Sequence, residues 1–216
     1  LRDAPHDHLH HHGMMFAVSV NGVSYWEETE RGGYQVHQDI SRVRVAPDAG
    51  ALGVGFEEDL ILHAPDSDKA ALKEHRSVYH SPLSNEQVRV LTWQSAMTTP
   101  SEEPAAISGS IYYGLGMRFP EFMDKVGTFI MADDKTGEYK DGPHTMAQAS
   151  WCAYTVDDEE TPVTIAMFNA PDNPRPAVWF TMLEPFSYIS ATVDLSRKPI
   201  TLNSGEKLDL CYGVAA

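Results

Sequence analysis

Short runs rich in Val, Ile, Tyr, Phe and Trp, each closed off by Gly, Pro, Asn or Asp, leave this chain little choice but a β architecture. They cover residues 14–20, 23–28, 41–45, 52–63, 88–96, 107–119, 128–132, 150–156, 163–169, 177–182, 188–193 and 207–214. Between Val20 and Val23 stands Asn21-Gly22, the dipeptide best suited to a two-residue hairpin because both positions tolerate positive φ. Helix is scarce: residues 67–74 and 120–125 predict one or two turns each, opened by Ser67 and Pro120. Residues 98–104 and 133–144, rich in charge, Gly and Pro, read as loops. Short strands with long connections, and no periodic blade, predict a single all-β domain over residues 1–216, an antiparallel β-sandwich. A cupin-like jelly roll is the architectural alternative.

A chain of 216 residues can bury a substantial core, and 42% hydrophobic with 22% charged residues is ordinary for a soluble protein. The net charge of −15 is not ordinary. It argues against nucleic acid, which needs a basic footprint, and against anionic bilayers. Neutral ligands and cations remain compatible. No apolar stretch approaches the length of a membrane helix. The chain begins at Leu1 with neither an initiator Met nor a signal peptide, which predicts sequence missing upstream. Cys152 and Cys211 each sit in an apolar run, where a buried free thiol is expected rather than a disulfide.

The chemistry is concentrated at the start, in His6-Asp7-His8-Leu9-His10-His11-His12-Gly13. Imidazole ligates metals and moves protons near neutral pH. Read as extended backbone, the segment puts His6, His8, His10 and His12 on one face about 7 Å apart, with His11 opposite. The spacing of His8, His10 and His12 lets one strand donate two or three ligands to a divalent metal, which needs donors at about 2.0–2.2 Å. Asp7, Glu27, Glu28 and Asp39 are carboxylates that could complete such a set. An expression tag, a solvated polar terminus and satisfied core histidines are the bland alternatives. Without metal the same imidazoles serve as general base or acid.

Further along, His37 follows a turn that the Asn21-Gly22 hairpin could return to His10 or His12. His63, His75, His80 and His144 are scattered and read as surface or capping residues. Arg118, in Gly114-Leu115-Gly116-Met117-Arg118-Phe119, is the candidate for charge stabilisation, against a buried Arg–carboxylate pair. Residues 168–180 carry three prolines among polar residues and read as a stiff loop able to offer Asn173 and Arg175 to a ligand. Trp26, Trp93, Trp151 and Trp179 read mostly as core, with one or two of them, Trp26 and Trp179, suited to line a cleft and stack on a sugar ring.

Asp7-His8-Leu9-His10-His11-His12-Gly13-Met14-Met15-Phe16, Gly33-Tyr34-Gln35-Val36-His37 and Gly114-Leu115-Gly116-Met117-Arg118 together resemble a bacterial family labelled "methane oxygenase PmoA", whose function is unknown. Ala149–Tyr154, Ile165–Phe168, Asn173-Pro174-Arg175, Trp179 and Leu202–Glu206 continue the resemblance over nearly the whole chain. It implies a twisted sandwich like that of galactose mutarotases, in bacteria that degrade glycans. It also implies N-terminal strands that are absent here, whose loss would expose an edge able to pair with a second copy. A methane monooxygenase subunit would span a membrane, which this chain does not predict. Two family histidines are missing, replaced by Ala170 and Arg175.

These readings predict a soluble bacterial protein, cytoplasmic, periplasmic or secreted, acting on a neutral sugar or oligosaccharide by proton transfer as a lyase, hydrolase or epimerase. His8, His10, His11, His37 and Arg118 are the expected catalytic residues, and Trp26, Asn173, Arg175 and Trp179 the expected substrate contacts. His8, His10 and His12 are the expected ligands of any divalent metal. A non-catalytic glycan-binding module is the alternative, favoured by the departures at Ala170 and Ala177. A metal-dependent oxidoreductase is the third.

Overall fold

Alternating apolar and polar residues become, in the computed structural model, an almost purely β molecule, described for residues 8, 10–45, 53–65, 67–81, 87–134, 143–158 and 162–216. In chain order its strands are β1 (Met14–Ala17), β2 (Ser19–Val20), β3 (Val23–Ser24), β4 (Tyr34–Val45), β5 (Gly53–His63), β6 (Ala70–His80), β7 (Val90–Thr98), β8 (Ala105–Ser108) and β9 (Gly114–Arg118). There follow β10 (Thr128–Met131), β11 (His144–Gln148), β12 (Trp151–Val156), β13 (Val163–Asn169), β14 (Val178–Met182), β15 (Tyr188–Thr192), β16 (Ile200–Leu202) and β17 (Lys207–Ala215).

Three antiparallel sheets form. The eight-stranded sheet runs β10-β12-β13-β17-β7-β6-β5-β4, the five-stranded one β1-β9-β15-β14-β11, and a small one β16-β8-β2-β3. The first two face each other across the core. Phe16 of β1 stacks on Trp93 of β7 at 5.2 Å between ring centroids, and Trp93 lies 5.9 Å from Tyr212 of β17. Elsewhere Tyr154 is gripped by Phe119 and Phe129, each at 4.6 Å, and its hydroxyl donates to the Met123 carbonyl. The architecture is the expected sandwich rather than a jelly roll.

The Asn21-Gly22 hairpin forms as expected, with both residues at positive φ (51° and 81°) and Val20 opposite Val23. Other elements depart from the sequence reading. Residues 70–80 form a strand, not a helix; Ala, Leu, Lys and Glu favour helix, but eleven residues are claimed by pairing to β5 and β7. Run 107–119 is two strands in different sheets, split by a turn around Ser110–Tyr113. Run 14–20 likewise divides after Ala17 into β1 and β2. Residues 144–148 and 200–202 are strands that the sequence reading missed, and the 133–144 excursion falls largely outside the described residues. The reading of 120–125 shrinks to a single 3-10 turn, Glu121–Met123.

Both cysteines are free. Cys152 is buried, which pushes its thiol up to about 12, and Cys211 is half-buried. Among the described residues no helix is long and apolar enough to cross a membrane.

Gly114 opens β9 at φ +130°, and a Cβ there would sit 2.3 Å from the carbonyl oxygen of Ala191 on the neighbouring β15. Both the conformation and the approach demand glycine. Gly114→Ala is expected to cost about 3 kcal/mol, seen as a lower urea midpoint at unchanged slope. An unchanged midpoint would contradict the packing of these two strands.

Candidate functional site

The histidine segment enters β1 through a turn, not a strand. The His11 amide donates to the His8 carbonyl at 2.9 Å, and Gly13, at φ +94°, redirects the chain into Met14. The Gly13 carbonyl is then held by the Arg118 amide at 3.0 Å. The expectation that alternate histidines share a face therefore fails. The turn gathers His8, His10 and His11, with ring centroids 5.7 Å apart for His8–His10, 4.8 Å for His8–His11 and 4.7 Å for His10–His11. His12 turns outward, and its Nε2 bonds Glu28 Oε1 at 2.7 Å on the surface. His6 and Asp7 lie outside the described residues.

Aromatic side chains from two other segments, Trp26 and the pair Phe186 and Tyr188, complete the cluster. Buried His11 lies parallel to Trp26 (5.2 Å, 13°) and to Tyr188 of β15 (5.8 Å, 20°). His10 meets Trp26 edge-on at 4.7 Å, and His8 meets Phe186 edge-on at 4.9 Å. Such offset and T-shaped contacts are the geometries that ring quadrupoles favour.

Two cavities adjoin at His10 and Trp26. The larger, of about 650 Å³, is polar along one wall, where His12, Glu27, Glu28, Gln35 and Arg76 stand above Met15, Phe16 and Tyr25. The smaller, of about 260 Å³, is aromatic, with His8, His11, Tyr112, Phe180, Phe186 and Tyr188 around it. Burial lowers the pKa of His10 below its ordinary 6.5, and neighbouring His8 lowers it further, partly offset by Glu27 and Glu28. His10 is thus a neutral imidazole at pH 7, able to accept a proton. On the other side of Trp26, burial raises the Tyr113 hydroxyl to about 12, and that hydroxyl shares a 3.0 Å hydrogen bond with Ser24.

The remaining sequence candidates are placed elsewhere or differently. His37 sits on exposed β4 with Nδ1 3.0 Å from Glu58, and lines neither cavity, although Tyr34 and Gln35 just before it do. Arg118 is buried, pairs with Asp124 at 3.1 Å and lies 3.7 Å over the Phe186 ring. It braces a cavity wall from behind. Trp179 is wholly buried and donates to the Ala149 carbonyl at 2.8 Å, so it cannot stack on a sugar. Asn173 ties its loop to the Cys211 backbone, and Arg175 donates to the carbonyls of Val193, Lys198 and Pro199. Neither Ala170 nor Arg175 lines the two cavities, so the family histidines missing there do not strip this cleft. Among the described residues no three His, Cys, Asp or Glu side chains are placed to hold a metal ion, the expected His8, His10 and His12 included.

Sequence reasoning missed Tyr112, Tyr113, Phe180, Phe186 and Tyr188, and read His144 as a surface residue. His144 is half-buried and stacks on Phe180 at 5.1 Å. The available signal was Tyr112-Tyr113 immediately before the Gly114-Leu115-Gly116 strand.

The same sandwich occurs within solved α-galactosidases. An α-galactosidase from Lactobacillus brevis superposes with a TM-score of 0.62 at 9% identity, over 93% of this chain and 28% of that one. GH36 α-galactosidase AgaB from Geobacillus stearothermophilus gives 0.58 at 10%, over 93% and 29%, as does a variant of AgaA from the same organism in complex with raffinose. The chain therefore spans less than a third of the length of these enzymes, and the likeness is one of fold. By sequence the chain belongs to the Family of unknown function (DUF6807), whose model matches residues 1–216. The PmoA label gains no support from this match, and no curated protein matches the chain.

Two outcomes follow. Trp179→Phe, which leaves the Ala149 carbonyl unpaired, is expected to lower stability by about 1–3 kcal/mol, measured by denaturant unfolding. An unchanged midpoint would count against that buried hydrogen bond. The lowered pKa of His10 means the unfolded chain binds its proton more readily. Its contribution is fully present above pH 6.5 and is lost as pH falls towards the folded-state value. In NMR titration the His10 ring should titrate below 6.5, and a midpoint at or above 6.5 would contradict its half-buried setting.

Proposed function

We propose that the protein binds a neutral sugar or oligosaccharide in the polar cavity beside Trp26 and acts on it by proton transfer, as a lyase, hydrolase or epimerase. The observation that carries this reading is the position of His10: a neutral imidazole, edge-on to an indole face, in a cavity that also presents Glu27 and Glu28. Abstraction of a proton next to a carbonyl or hemiacetal needs a base of this kind poised near neutrality. Trp26, whose ring already stacks on His11 and meets His10, lends the cavity an apolar edge against which a pyranose ring can pack, and Gln35 and Arg76 offer donors to its hydroxyls. Arg76 is itself oriented by two hydrogen bonds to buried Glu74. In this reading His8 and His11 shape the site, and His37, Arg118, Asn173, Arg175 and Trp179 do not touch substrate.

The likeness to sandwiches occupying under a third of the α-galactosidases favours a second reading, a non-catalytic glycan-binding domain. One experiment separates the two. Oligosaccharides that bind on a glycan array are incubated with the protein, and products are followed by mass spectrometry. The first reading predicts turnover that falls about 10²–10⁴-fold in His10→Gln while binding stays within a few-fold. Its rate should rise with pH through a value below 6.5 and then level off. Binding without product over long incubation moves the assignment to the second reading. Binding that ignores both Trp26→Ala and His10→Gln overturns both.

A further inference from the structure

The two cavities that meet at His10 and Trp26 differ in chemistry, and the difference describes a ligand. The larger has carboxylates, an amide and a guanidinium along one wall. The smaller has neither a carboxylate nor a Lys or Arg among its described lining residues, and its walls are aromatic rings with Met182 and Pro185 at the edge. A polyhydroxylated ring finds charged and amide partners for its hydroxyls in the first and not in the second. An aromatic ring suits the second, where Tyr112, Phe180, Phe186 and Tyr188 offer faces and edges to pack on.

We infer that the ligand is a glycoside with an aromatic or similarly flat apolar aglycone, the sugar lying in the polar cavity, the aglycone in the aromatic one and the glycosidic linkage beside His10. This rests on the sugar reading above and adds the substrate class. Size agrees: a cavity on the order of 150 Å³ already accepts benzene, so about 260 Å³ holds one or two rings. Charge agrees as well, since an aromatic cage that selects a quaternary ammonium gains from a nearby carboxylate, and none lines this cavity. The rim is built for entry. Tyr112 and Met182 are half-buried and Pro185 is exposed, whereas Phe180, Phe186 and Tyr188 behind them are buried. Tyr188 is held in place by its hydrogen bond to the Tyr112 carbonyl and by close packing over Gly116.

The test is calorimetry with matched pairs of methyl and 4-nitrophenyl glycosides across a panel of hexoses and pentoses, with 4-nitrophenol and tetramethylammonium as separate probes. For the sugar that binds, the nitrophenyl form is expected to bind at least about tenfold more tightly than the methyl form. That ratio should fall towards one in Tyr112→Ala, which removes a wall, and in Met182→Trp, which fills the rim. A ratio carries its own control for folding, because both ligands are measured on the same variant. Equal affinity for the two forms in the wild type overturns the aglycone assignment and leaves the sugar reading standing. Binding of 4-nitrophenol alone as tightly as the nitrophenyl glycoside, with no methyl glycoside bound, overturns the sugar reading and the assignment with it. Preference for tetramethylammonium over the nitrophenyl group overturns the assignment in favour of a cation cage.

Discussion

Nine residues at the end of the chain, Lys207–Ala215, run through the middle of the eight-stranded sheet, paired to β7 along their whole length and to β13 over part of it. The long hairpins β4–β7 on one side and β10, β12 and β13 on the other are joined through this strand. Alternate residues Leu208, Leu210, Tyr212 and Val214 face the core, and Tyr212 stands opposite Trp93. Trp93 in turn carries Phe16, which fixes β1 and with it the turn of histidines just upstream. The site therefore hangs on contacts between strands far apart in sequence, β17 to β7 and β7 to β1. Contacts of such sequence separation form late and slowly in folding, so the cleft is expected to be complete only when the whole sandwich is.

His8, His10 and His11 form a wall because flat rings pack around them. Trp26 comes from the segment after β3 and Phe186 and Tyr188 from the stretch that leads into β15, and His11 fills the gap between them with its ring parallel to two of the three. Behind Phe186 the Arg118–Asp124 pair acts as a brace. Asp124 accepts from Arg118 and from the Ser187 amide, and the guanidinium caps the aromatic face. A buried ion pair of this kind contributes little net stability, but it fixes geometry well. An arginine in an apolar strand needs a partner or a ligand, and the buried Arg–carboxylate alternative that the sequence offered is the arrangement formed with Asp124.

Most strands after residue 150 were legible as runs of β-branched and aromatic residues between Gly, Pro and Asp, the short strand 200–202 excepted, and the Asn21-Gly22 turn because its backbone chemistry has few alternatives. The β6 strand was not. Ala70-Ala71-Leu72-Lys73-Glu74 carries helix-forming residues, and only long-range pairing made it extended. That burial of Glu74 depends on Arg76 two residues on, which no periodicity announces. In the candidate site, His10 and Trp26 line both cavities, while Trp179, Asn173 and Arg175 make hydrogen bonds within the fold. A large aromatic or an arginine in a Pro-rich loop looks the same in sequence whether it binds a ligand or holds the loop. The aromatic cavity was illegible because its rings come from strands β14 and β15, the loop before β15 and the turn before β9.

The most direct test of this account is where a bound sugar perturbs the molecule. Long-range proton–nitrogen spectra of the imidazole and indole rings, recorded with increasing oligosaccharide, resolve the ten histidines and four tryptophans separately. The account predicts that His10 and Trp26 shift first and furthest, followed by His8 and His11, while His37, His75 and buried Trp179 stay still. Shifts concentrated at His37 and His75 on the outer strands, with His10 and Trp26 unmoved, would place the ligand on another face and contradict it.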